Sequence, residues 1–314
     1  MKKLLLISAA FAALITAPAT AADQAVRRVH RRPVVVAAPV YSWTGWYAGV
    51  NAGASFGNVK TDFNVAPATF LQTPTCCVGL HSGFTTPGFA GSDREYPGGF
   101  IGGGQIGYNY QLSPIWVVGF EADFQGALEK DHSTITSNFN VIGSGIGQGG
   151  PFTFPVSGST SLAYQTKKDW FGTVRGRIGY VWGNGAVLTY VTGGLAYGKV
   201  DIEGTSTPIS GTGFDLSVTQ AFGHSQVNTG WAAGFGMEGK LLIPGWTYKI
   251  ESLYMDLGTL DAGTPGVSAT LAHIVVIENL NAGPVTTHNH FTDAILRVGL
   301  NYRFGNYYAP VVTK

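Results

Sequence analysis

The sequence predicts an all-β fold, an eight-stranded antiparallel transmembrane β-barrel with four long extracellular loops and three short periplasmic turns. Eight segments alternate apolar and polar residues with the period of two that a β-strand imposes. The links between these segments alternate strictly between short and long, which is the pattern of barrels that cross a membrane. Beyond the N-terminal segment, no apolar run approaches the roughly 18 to 20 residues of a helical membrane span.

The first 44 residues predict export and a short periplasmic leader. Lys2 and Lys3 precede an apolar run, and Ala19-Thr20-Ala21 supplies small residues at the cleavage spacing, so residues 1–21 are predicted to be a secretory signal peptide. Residues 22–44 follow as a leader with four arginines and with prolines that favour an extended chain: Arg27, Arg28, Arg31, Arg32, Pro33 and Pro39. We expect a flexible arm; the alternative is contact with an acidic periplasmic or cell-wall partner.

The charge balance says little about partners, and the two cysteines cannot staple distant elements together. The 19 basic and 18 acidic residues become 17 and 18 once Lys2 and Lys3 leave with the signal, so the chain gives no reason to expect nucleic acid as a partner. The only cysteines, Cys76 and Cys77, are adjacent and cannot connect distant elements. A vicinal disulfide, an intermolecular bridge and two free thiols remain open. Stability must come from strand pairing and packing, and no cofactor is predicted.

The first four predicted strands each have one apolar and one polar face. Residues 46–57 alternate tryptophan, alanine, valine and phenylalanine with polar residues, and residues 99–112 alternate isoleucine and tyrosine with glutamine and asparagine. Residues 116–125 set aromatic side chains against carboxylates, whereas residues 170–182 set apolar side chains against a threonine and two arginines. The apolar faces are predicted to touch lipid and the polar faces to line the interior.

The last four predicted strands complete a barrel over residues 45–305 and leave residues 306–314 as a tail. Residues 186–198 are apolar on both parities, so the register of this strand is not predicted. Residues 229–241 and 246–257 alternate aromatic and aliphatic side chains with glutamate and lysine. Residues 294–304 form the clearest strand, because the leucines, the valine and the final aromatic pair share one parity and the two arginines share the other.

Three links are tight turns and four are long. The turns are residues 112–115, 183–185 and 243–245, the second with the Asn-Gly pair typical of hairpins. The long links are rich in Gly, Ser, Thr and Asn and are predicted as surface loops: residues 58–97, 126–169, 199–228 and 258–292. Such lengths are uncommon in compact domains and favour a surface-display or loop-binding role. Residues 135–141 and 271–277 are strand-prone; they either extend hairpins above the membrane or raise the count to ten strands.

Ten charged side chains fall on the parity assigned to the interior. An Arg or Lys that faces lipid near the midplane costs roughly 2 to 4 kcal/mol, which excludes a register that exposes several of them. The interior of an eight-stranded barrel is just wide enough for side chains to fill it, so a packed network of ion pairs is predicted; the alternative is a narrow polar channel. The predicted lumen charge network comprises Glu121, Asp123, Arg175, Arg177, Glu238, Lys240, Lys249, Glu251, Arg297 and Arg303.

Outward-facing tryptophans and enzyme-like motifs complete the candidate sites. Four tryptophans at strand ends predict an aromatic belt at the membrane interface: Trp46, Trp116, Trp182 and Trp246. A dinucleotide-type glycine run at residues 102–107 and a nucleophile-elbow pattern at residues 53–57 both lie within strands and lack a following helix. The sequence therefore predicts no enzyme. His288 and His290 share one side of an extended segment and are weak candidates for a metal or haem ligand.

Several strand sequences resemble a known family. The segments PVYSWTGWYAG (39–49), DWFGTVRGRIGY (169–180), YVTGGLAYG (190–198) and LRVGLNYRFG (296–305) are similar to the small outer-membrane immunogenic proteins of the RopB type from alphaproteobacteria, relatives of OmpA-like barrels. The resemblance runs from about residue 33 to the end and lies in the strands. It implies an outer-membrane barrel that contributes to envelope integrity and presents antigenic loops. Some similar proteins are described as porins or haem binders, so a small-solute channel and a loop-borne haem site are the alternatives.

An outer-membrane barrel also implies partners and an assembly signal. The implied partners are outer-membrane lipid and lipopolysaccharide, the barrel assembly machinery and periplasmic chaperones. Many such chains end on the aromatic residue of the assembly signal, but here ten residues follow Phe304. The resemblance implies that Leu300, Tyr302 and Phe304 still form this signal and that the tail lies in the periplasm.

Overall fold

The computed structural model describes residues 41–76, 79–210, 218–272 and 276–305. The predicted signal peptide at residues 1–21, most of the predicted leader, Cys77 and the predicted tail at residues 306–314 lie outside these ranges. All described residues belong to one compact unit, Pro39–Lys314. Among them, no helix has the length and hydropathy needed to cross a membrane.

The described residues form thirteen β-strands, eight long and five short. The long strands are β1 (Gly45–Val65), β5 (Gly98–Gln111), β6 (Trp116–Gly147), β7 (Gly150–Trp182), β8 (Val187–Ser210), β9 (Gln220–Lys240), β10 (Trp246–Thr264) and β13 (Val285–Arg303). The short strands, which lie in two of the long links, are β2 (Ala68–Pro74), β3 (His81–Thr86), β4 (Phe89–Glu95), β11 (Val267–Ala272) and β12 (Val276–Ala282).

The long strands pair with one another in a closed antiparallel cycle. From β1 the order runs through β13, β10, β9, β8, β7, β6 and β5, and β5 pairs with β1 again. The first and last strands of the chain pair over almost their whole length, from Tyr47 opposite Arg303 to Val65 opposite Val285. On each strand one parity faces the interior of this cycle and the other faces outward, which is the arrangement that period-two alternation predicts.

The long links contain strands, which differs from the predicted loops and from the predicted count of eight. β6 and β7 are 32 and 33 residues long, and residues 135–141 lie in β6, where they extend its hairpin with β7. β2, β3 and β4 occupy much of the link between β1 and β5. The physical reason is that these links contain β-branched and aromatic residues, and such side chains suit a pleated surface even when Ser, Gly and Asn surround them.

Register shifts separate two parts of the interior. They occur between Gly126 and Glu129 on β6, between Lys168 and Trp170 on β7, and between Asp256 and Gly258 on β10. A bulge of one residue reverses the parity of the strand beyond it. Towards the tight turns the interior is charged. At the level of these bulges and outward from them, a large cluster of buried aliphatic and aromatic side chains lines it, together with the buried ion pairs of Lys168 with Glu129 and Asp293. The cluster includes Val59, Leu162, Phe171, Ile202, Met255 and Leu257.

Candidate functional site

A charge cluster fills the interior between the tight turns and the bulges. Its members come from the inward parity of β6, β7, β9, β10 and β13, and each is at most 5% exposed. We call this set the interior charge cluster: Glu121, Asp123, Glu238, Glu251, Arg175, Arg177, Lys249 and Arg297. Four carboxylates and four basic groups balance one another, and this balance is what permits their burial.

Two arginines form the centre of the cluster. Arg175 Nη2 donates to Glu121 Oε1 at 2.8 Å and to Asp123 Oδ2 at 3.0 Å, and its Nη1 donates to Glu251 Oε1 at 3.2 Å. Arg297 donates from Nε to Glu251 Oε2 and from Nη2 to Asp123 Oδ2, both at 2.7 Å. The two guanidinium groups share two carboxylates through charge-assisted hydrogen bonds. The contacts therefore connect β6, β7, β10 and β13 across the interior.

Tyrosines and a lysine complete the contacts on the turn side. Lys249 Nζ donates to Glu121 Oε1 at 2.6 Å, and the hydroxyl of Tyr47 donates to Glu121 Oε2 at 2.8 Å. The guanidinium of Arg177 lies 4.5 Å from the ring centre of Tyr47 and 5.1 Å from that of Tyr190, which are cation–π distances. Neither tyrosine is among the predicted site residues, although Tyr47 has the inward parity; the register of the strand that carries Tyr190 was not predicted.

Two members of the predicted lumen charge network lie outside this cluster. Arg303 donates from Nη1 to the carbonyl of Ser42 at 2.8 Å and from Nη2 to the carbonyl of Thr44 at 3.2 Å. Lys240 Nζ lies 4.6 Å from the ring centre of Tyr41. Both side chains are close to the tight turns and contact no carboxylate there. Arg303 is buried among backbone carbonyls and aromatic rings, whereas Lys240 is exposed and does not lie in the lumen as predicted. They hold residues 41–44, which is a correction to their predicted partners.

Residues 41–44 close the end of the interior next to the tight turns, and we call them the N-terminal plug. Trp43 is fully buried; its indole Nε1 donates to the carbonyl of Gly185 at 3.2 Å, and its backbone N–H donates to Gln111 Oε1 at 2.8 Å. The guanidinium of Arg303 lies 5.2 Å from the Trp43 ring, and the Tyr41 ring meets Trp43 edge-on at 5.3 Å. These residues were predicted to be part of a flexible leader, but their aromatic side chains fix them in the mouth of the cycle.

Outward-facing aromatic side chains form two belts separated by apolar residues. The first belt lies next to the tight turns and includes the four predicted tryptophans, which are 37–49% exposed: Trp46, Trp116, Trp182 and Trp246. The second belt, which the strand pattern did not predict, lies near the bulges and comprises Phe124, Trp170, Tyr197, Trp231 and Tyr254. Between the belts the outward face is apolar, with Val50 65% and Val191 58% exposed. An apolar band bounded by aromatic residues is typical of a membrane-spanning surface.

Comparison with known proteins identifies the family. The chain matches a family described as "Outer membrane protein beta-barrel domain" over residues 7–304. This chain belongs to that family. It is an outer-membrane protein. The 31 kDa outer-membrane immunogenic protein of Brucella melitensis biotype 1 is 33% identical to it over 299 residues, which cover 95% of this chain and 98% of the relative. The 25 kDa outer-membrane immunogenic protein of Brucella canis is 23% identical, over 97% of this chain and 99% of the relative.

Solved structures of outer-membrane proteins also align with this family member. The attachment invasion locus protein Ail of Yersinia pestis, in complex with sucrose octasulfate, is 13% identical with a TM-score of 0.26, over 81% of this chain and 99% of that chain. The outer membrane protease OmpT of Escherichia coli is 11% identical with a TM-score of 0.35, over 84% of this chain and 98% of that chain.

The candidate histidines of this outer-membrane protein lie on the outward face beyond the second belt. His288 Nδ1 contacts Asp261 Oδ1, and His290 Nε2 lies 3.2 Å from Asp256 Oδ1. Each imidazole is thus directed at its own aspartate on the neighbouring strand. Within the part of the chain that the structure describes, no three His, Cys, Asp or Glu side chains are arranged to hold a metal ion.

A buried carboxyl group beyond the second belt predicts a pH-dependent stability. Glu95 on β4 is 3% exposed, and burial raises its pKa from 4.5 to about 7, with Asp131 and Asp93 acting in the same direction. Its Oε2 accepts a hydrogen bond from Thr166 at 2.8 Å, which opposes the rise only in part. Because the folded pKa lies above the unfolded one, the contribution of this group is fully present below about pH 4.5 and is lost as the pH rises through about 7.

Glu95→Gln is expected to flatten this pH dependence. The amide cannot ionise, so the variant should gain stability relative to the wild type as the pH rises from 5 to 8, measured as the urea midpoint of the folded protein in detergent. Glu203→Gln, at an exposed position on β8, serves as the matched control. If the two variants have the same profile as the wild type, burial of the Glu95 carboxylate does not limit stability.

Phe304 remains the predicted aromatic residue of the assembly signal. It is 52% exposed, and its ring lies 5.2 Å from that of Tyr302 on the outward face. We expect Phe304→Ala to reduce the amount of folded, heat-modifiable protein in the outer membrane. Phe100→Ala, which removes an outward ring that is 79% exposed on β5, is the control. Equal levels of the two folded variants would argue against a signal at Phe304.

Proposed function

We propose that this chain is an eight-stranded transmembrane barrel with a closed interior, which has a structural role in the outer membrane and presents its long strand extensions as antigens at the cell surface. The closed cycle of eight long strands supports the strand count, and the short strands are then additions outside the membrane. The two aromatic belts support spanning segments of roughly 9 to 11 residues per strand, the length expected for tilted strands.

The observation that carries this proposal is the filled interior. Across the spanning segments, eight charged side chains occupy the centre and are hydrogen-bonded to one another or to neighbouring polar groups. The N-terminal plug covers the periplasmic end, and the apolar cluster covers the other end. An eight-stranded barrel holds about as much as its own side chains fill. A small-solute channel is therefore the less favoured hypothesis. The proposed role is that of a structural element of the membrane with an exposed antigenic surface.

The surface role rests on what projects beyond the second belt. Strands β6 and β7 continue well past Phe124 and Trp170, and β2, β3, β4, β11 and β12 widen this outer part. The two Brucella relatives are named immunogenic proteins, which fits an exposed outer part. We further propose that residues 1–21 are removed on export, that residues 22–40 and 306–314 lie in the periplasm, and that the protein has no enzymatic activity. Lipid and lipopolysaccharide are its proposed surroundings.

Labelling of single cysteines on intact cells tests this orientation. In a background of Cys76→Ser and Cys77→Ser, Gly149→Cys places a thiol at the tip of the β6–β7 hairpin, where an added side chain has open space. Leu242→Cys places one in the fully exposed β9–β10 turn. A membrane-impermeant maleimide should label the first position on intact cells and both positions after lysis. Labelling of Leu242→Cys alone on intact cells would reverse the orientation and remove the surface role.

A further inference from the structure

The outer part of the β6–β7 hairpin carries no charge. Residues 132–166 contain no Asp, Glu, Lys or Arg, although these four residue types make up 12% of the chain. The two strands pair without interruption through this stretch, out to Gly147 opposite Gly150. Exposed strands in soluble proteins commonly carry charged side chains that prevent association. A long hairpin without them favours contact with an electrically neutral, apolar partner.

Apolar side chains project from both faces of the outer end of this hairpin, residues 142–155, which we call the hairpin tip. Ile142 and Ile146 share one parity of β6 and are 69% and 44% exposed. Phe152 lies opposite a β6 residue of the other parity, so its ring projects from the opposite face of the hairpin, and it is 44% exposed. Exposed apolar groups that cluster in this way mark interaction sites.

Glycines on β6 make room for the aromatic rings of the tip. Phe154 lies opposite Gly143, and Phe152 lies opposite Gly145. The end of each ring lies over its glycine, where an added side chain would collide with it. The two ring centres are 5.9 Å apart, with an angle of 30° between the ring planes. The aromatic side of the tip is therefore a defined surface that is built into a paired hairpin.

The free edge of β7 at the tip is unsuited to strand addition. The pairing of β8 with β7 ends at Ser159, so within the described residues 150–158 have no strand on their outer side. Pro151 and Pro155 lie in this stretch and share one parity. A proline in a paired strand is tolerated where its nitrogen faces away from the partner strand, so both prolines interrupt the row of donors along the free edge. Binding through side chains is favoured over binding through the backbone.

The presence of apolar groups on both faces favours a lipid bilayer over a folded protein as the partner. A groove on a protein covers one face of a hairpin and leaves the other in water, whereas lipid surrounds both faces. Lipid also penalises charged side chains, and the tip has none. The Ser, Thr, Gly and Gln residues of the tip fit the polar headgroup region, so only the apolar side chains enter the boundary of the acyl chains.

We propose that the hairpin tip inserts shallowly into a second membrane with neutral, zwitterionic phospholipid headgroups. Ile142, Ile146 and Phe152 enter the boundary between headgroups and acyl chains. The stretch of β7 from Trp170 in the second belt to Phe152 is about 60 Å long at the usual strand rise, so the tip lies well beyond the membrane that the barrel is proposed to span. Contact with the membrane of another cell rests on the proposed surface orientation, whereas the insertion itself does not.

Sedimentation with vesicles tests this proposal. Purified full-length protein in lipid nanodiscs is mixed with sucrose-loaded phosphatidylcholine vesicles, and the bound fraction is measured after centrifugation against nanodiscs without protein. We expect binding by the wild type and a loss of about tenfold or more in the partition coefficient of the Ile142→Ser, Phe152→Ser double variant. Leu242→Ser, Ile243→Ser removes two exposed apolar side chains from the opposite end of the barrel and should bind as the wild type does. Heat-modifiable mobility on gels verifies that each variant is folded.

A fluorophore at the tip gives a second readout, which binding through another part of the protein would not change. In the background of Cys76→Ser and Cys77→Ser, an environment-sensitive label on Gly149→Cys should shift its emission to shorter wavelength when vesicles are added. Spin-labelled lipid in the vesicles should quench it. The same label on Leu242→Cys should show neither effect.

Four results would overturn the proposal. They are the absence of wild-type binding to phosphatidylcholine vesicles, equal binding by the tip double variant, an equal loss in the two double variants, and a tip label that stays in water. Self-association of wild-type nanodiscs without vesicles, abolished by the tip substitutions, would instead identify a second copy of the chain as the partner. Vesicle binding is measured on purified protein, so its failure leaves the cysteine-labelling result on cells intact, and a reversed orientation leaves the vesicle result intact.

Discussion

Arg297→Met is expected to lower the free energy of unfolding by about 3–5 kcal/mol, the usual cost of removing one partner from a buried ion pair. Arg297 is 1% exposed, and it donates to both Asp123 and Glu251. Methionine has a similar length but leaves two buried carboxylates short of a donor. Urea unfolding of the protein in lipid vesicles, followed by tryptophan fluorescence, measures the loss.

Two comparisons separate this effect from a general loss of charge. Lys60→Met breaks an exposed ion pair with Asp62 and should change the unfolding free energy little, because solvent screens surface pairs. The double variant Arg297→Met, Asp123→Leu should lose less than the sum of its single variants, since the carboxylate left without its donor is then absent. Strict additivity, or an effect of Lys60→Met equal to that of Arg297→Met, would contradict a coupled interior cluster.

Trp43→Ala is expected to cost about 3–5 kcal/mol of unfolding free energy, as for other buried tryptophans that are truncated to alanine. Trp43 is 0% exposed and packs in a cluster with Val117, Val181, Leu188 and other residues next to the tight turns. Its loss also removes the indole donor to Gly185 and one of the two rings that the Arg303 guanidinium faces. The same urea experiment reports the change.

Trp46→Ala provides the matched control for the plug. Trp46 lies three residues further along the chain, but its side chain is 49% exposed on the outward face. Truncation there should cost clearly less, because no interior cavity results. If Trp43→Ala and Trp46→Ala lose the same stability, the N-terminal plug contributes nothing beyond the anchoring of an interfacial aromatic residue.

Period-two alternation was sufficient to locate the spanning strands. Lipid on one face and a packed interior on the other force opposite polarity on successive residues, so the predicted ranges 46–57 and 246–257 lie within β1 and β10. The alternation was lost in residues 186–198, where both parities are apolar, and this is why Tyr190 could not be assigned to the interior. The alternation was also weak in the long links, which are rich in Ser, Thr and Gly, so the sequence did not predict the outer parts of β6 and β7.

The position of a residue in the period-two pattern indicates whether its side chain faces the interior or the outside. It does not indicate which groups lie beside that side chain along the barrel axis. Arg297 and Arg303 share an inward parity, yet the first meets carboxylates and the second meets the carbonyls of Ser42 and Thr44. That difference arises because the N-terminal plug, residues 41–44, lies beside Arg303, and the sequence of this segment shows no period-two alternation that would predict its position. The end of the pairing between β9 and β10 at Trp231 and Asp256 likewise coincides with a bulge at Gly258, which only the pairing of β9, β10 and β13 reveals. Contacts between distant segments therefore account for what the sequence left unpredicted.

Conductance of the purified wild-type protein in planar lipid bilayers tests the closed interior most directly. The interior charge cluster and the N-terminal plug predict no stable conductance steps over long recordings at moderate voltage, under conditions in which an established porin inserts and conducts. Reproducible, sustained steps of uniform size from folded wild-type protein would contradict the closed barrel and would favour a small-solute channel instead.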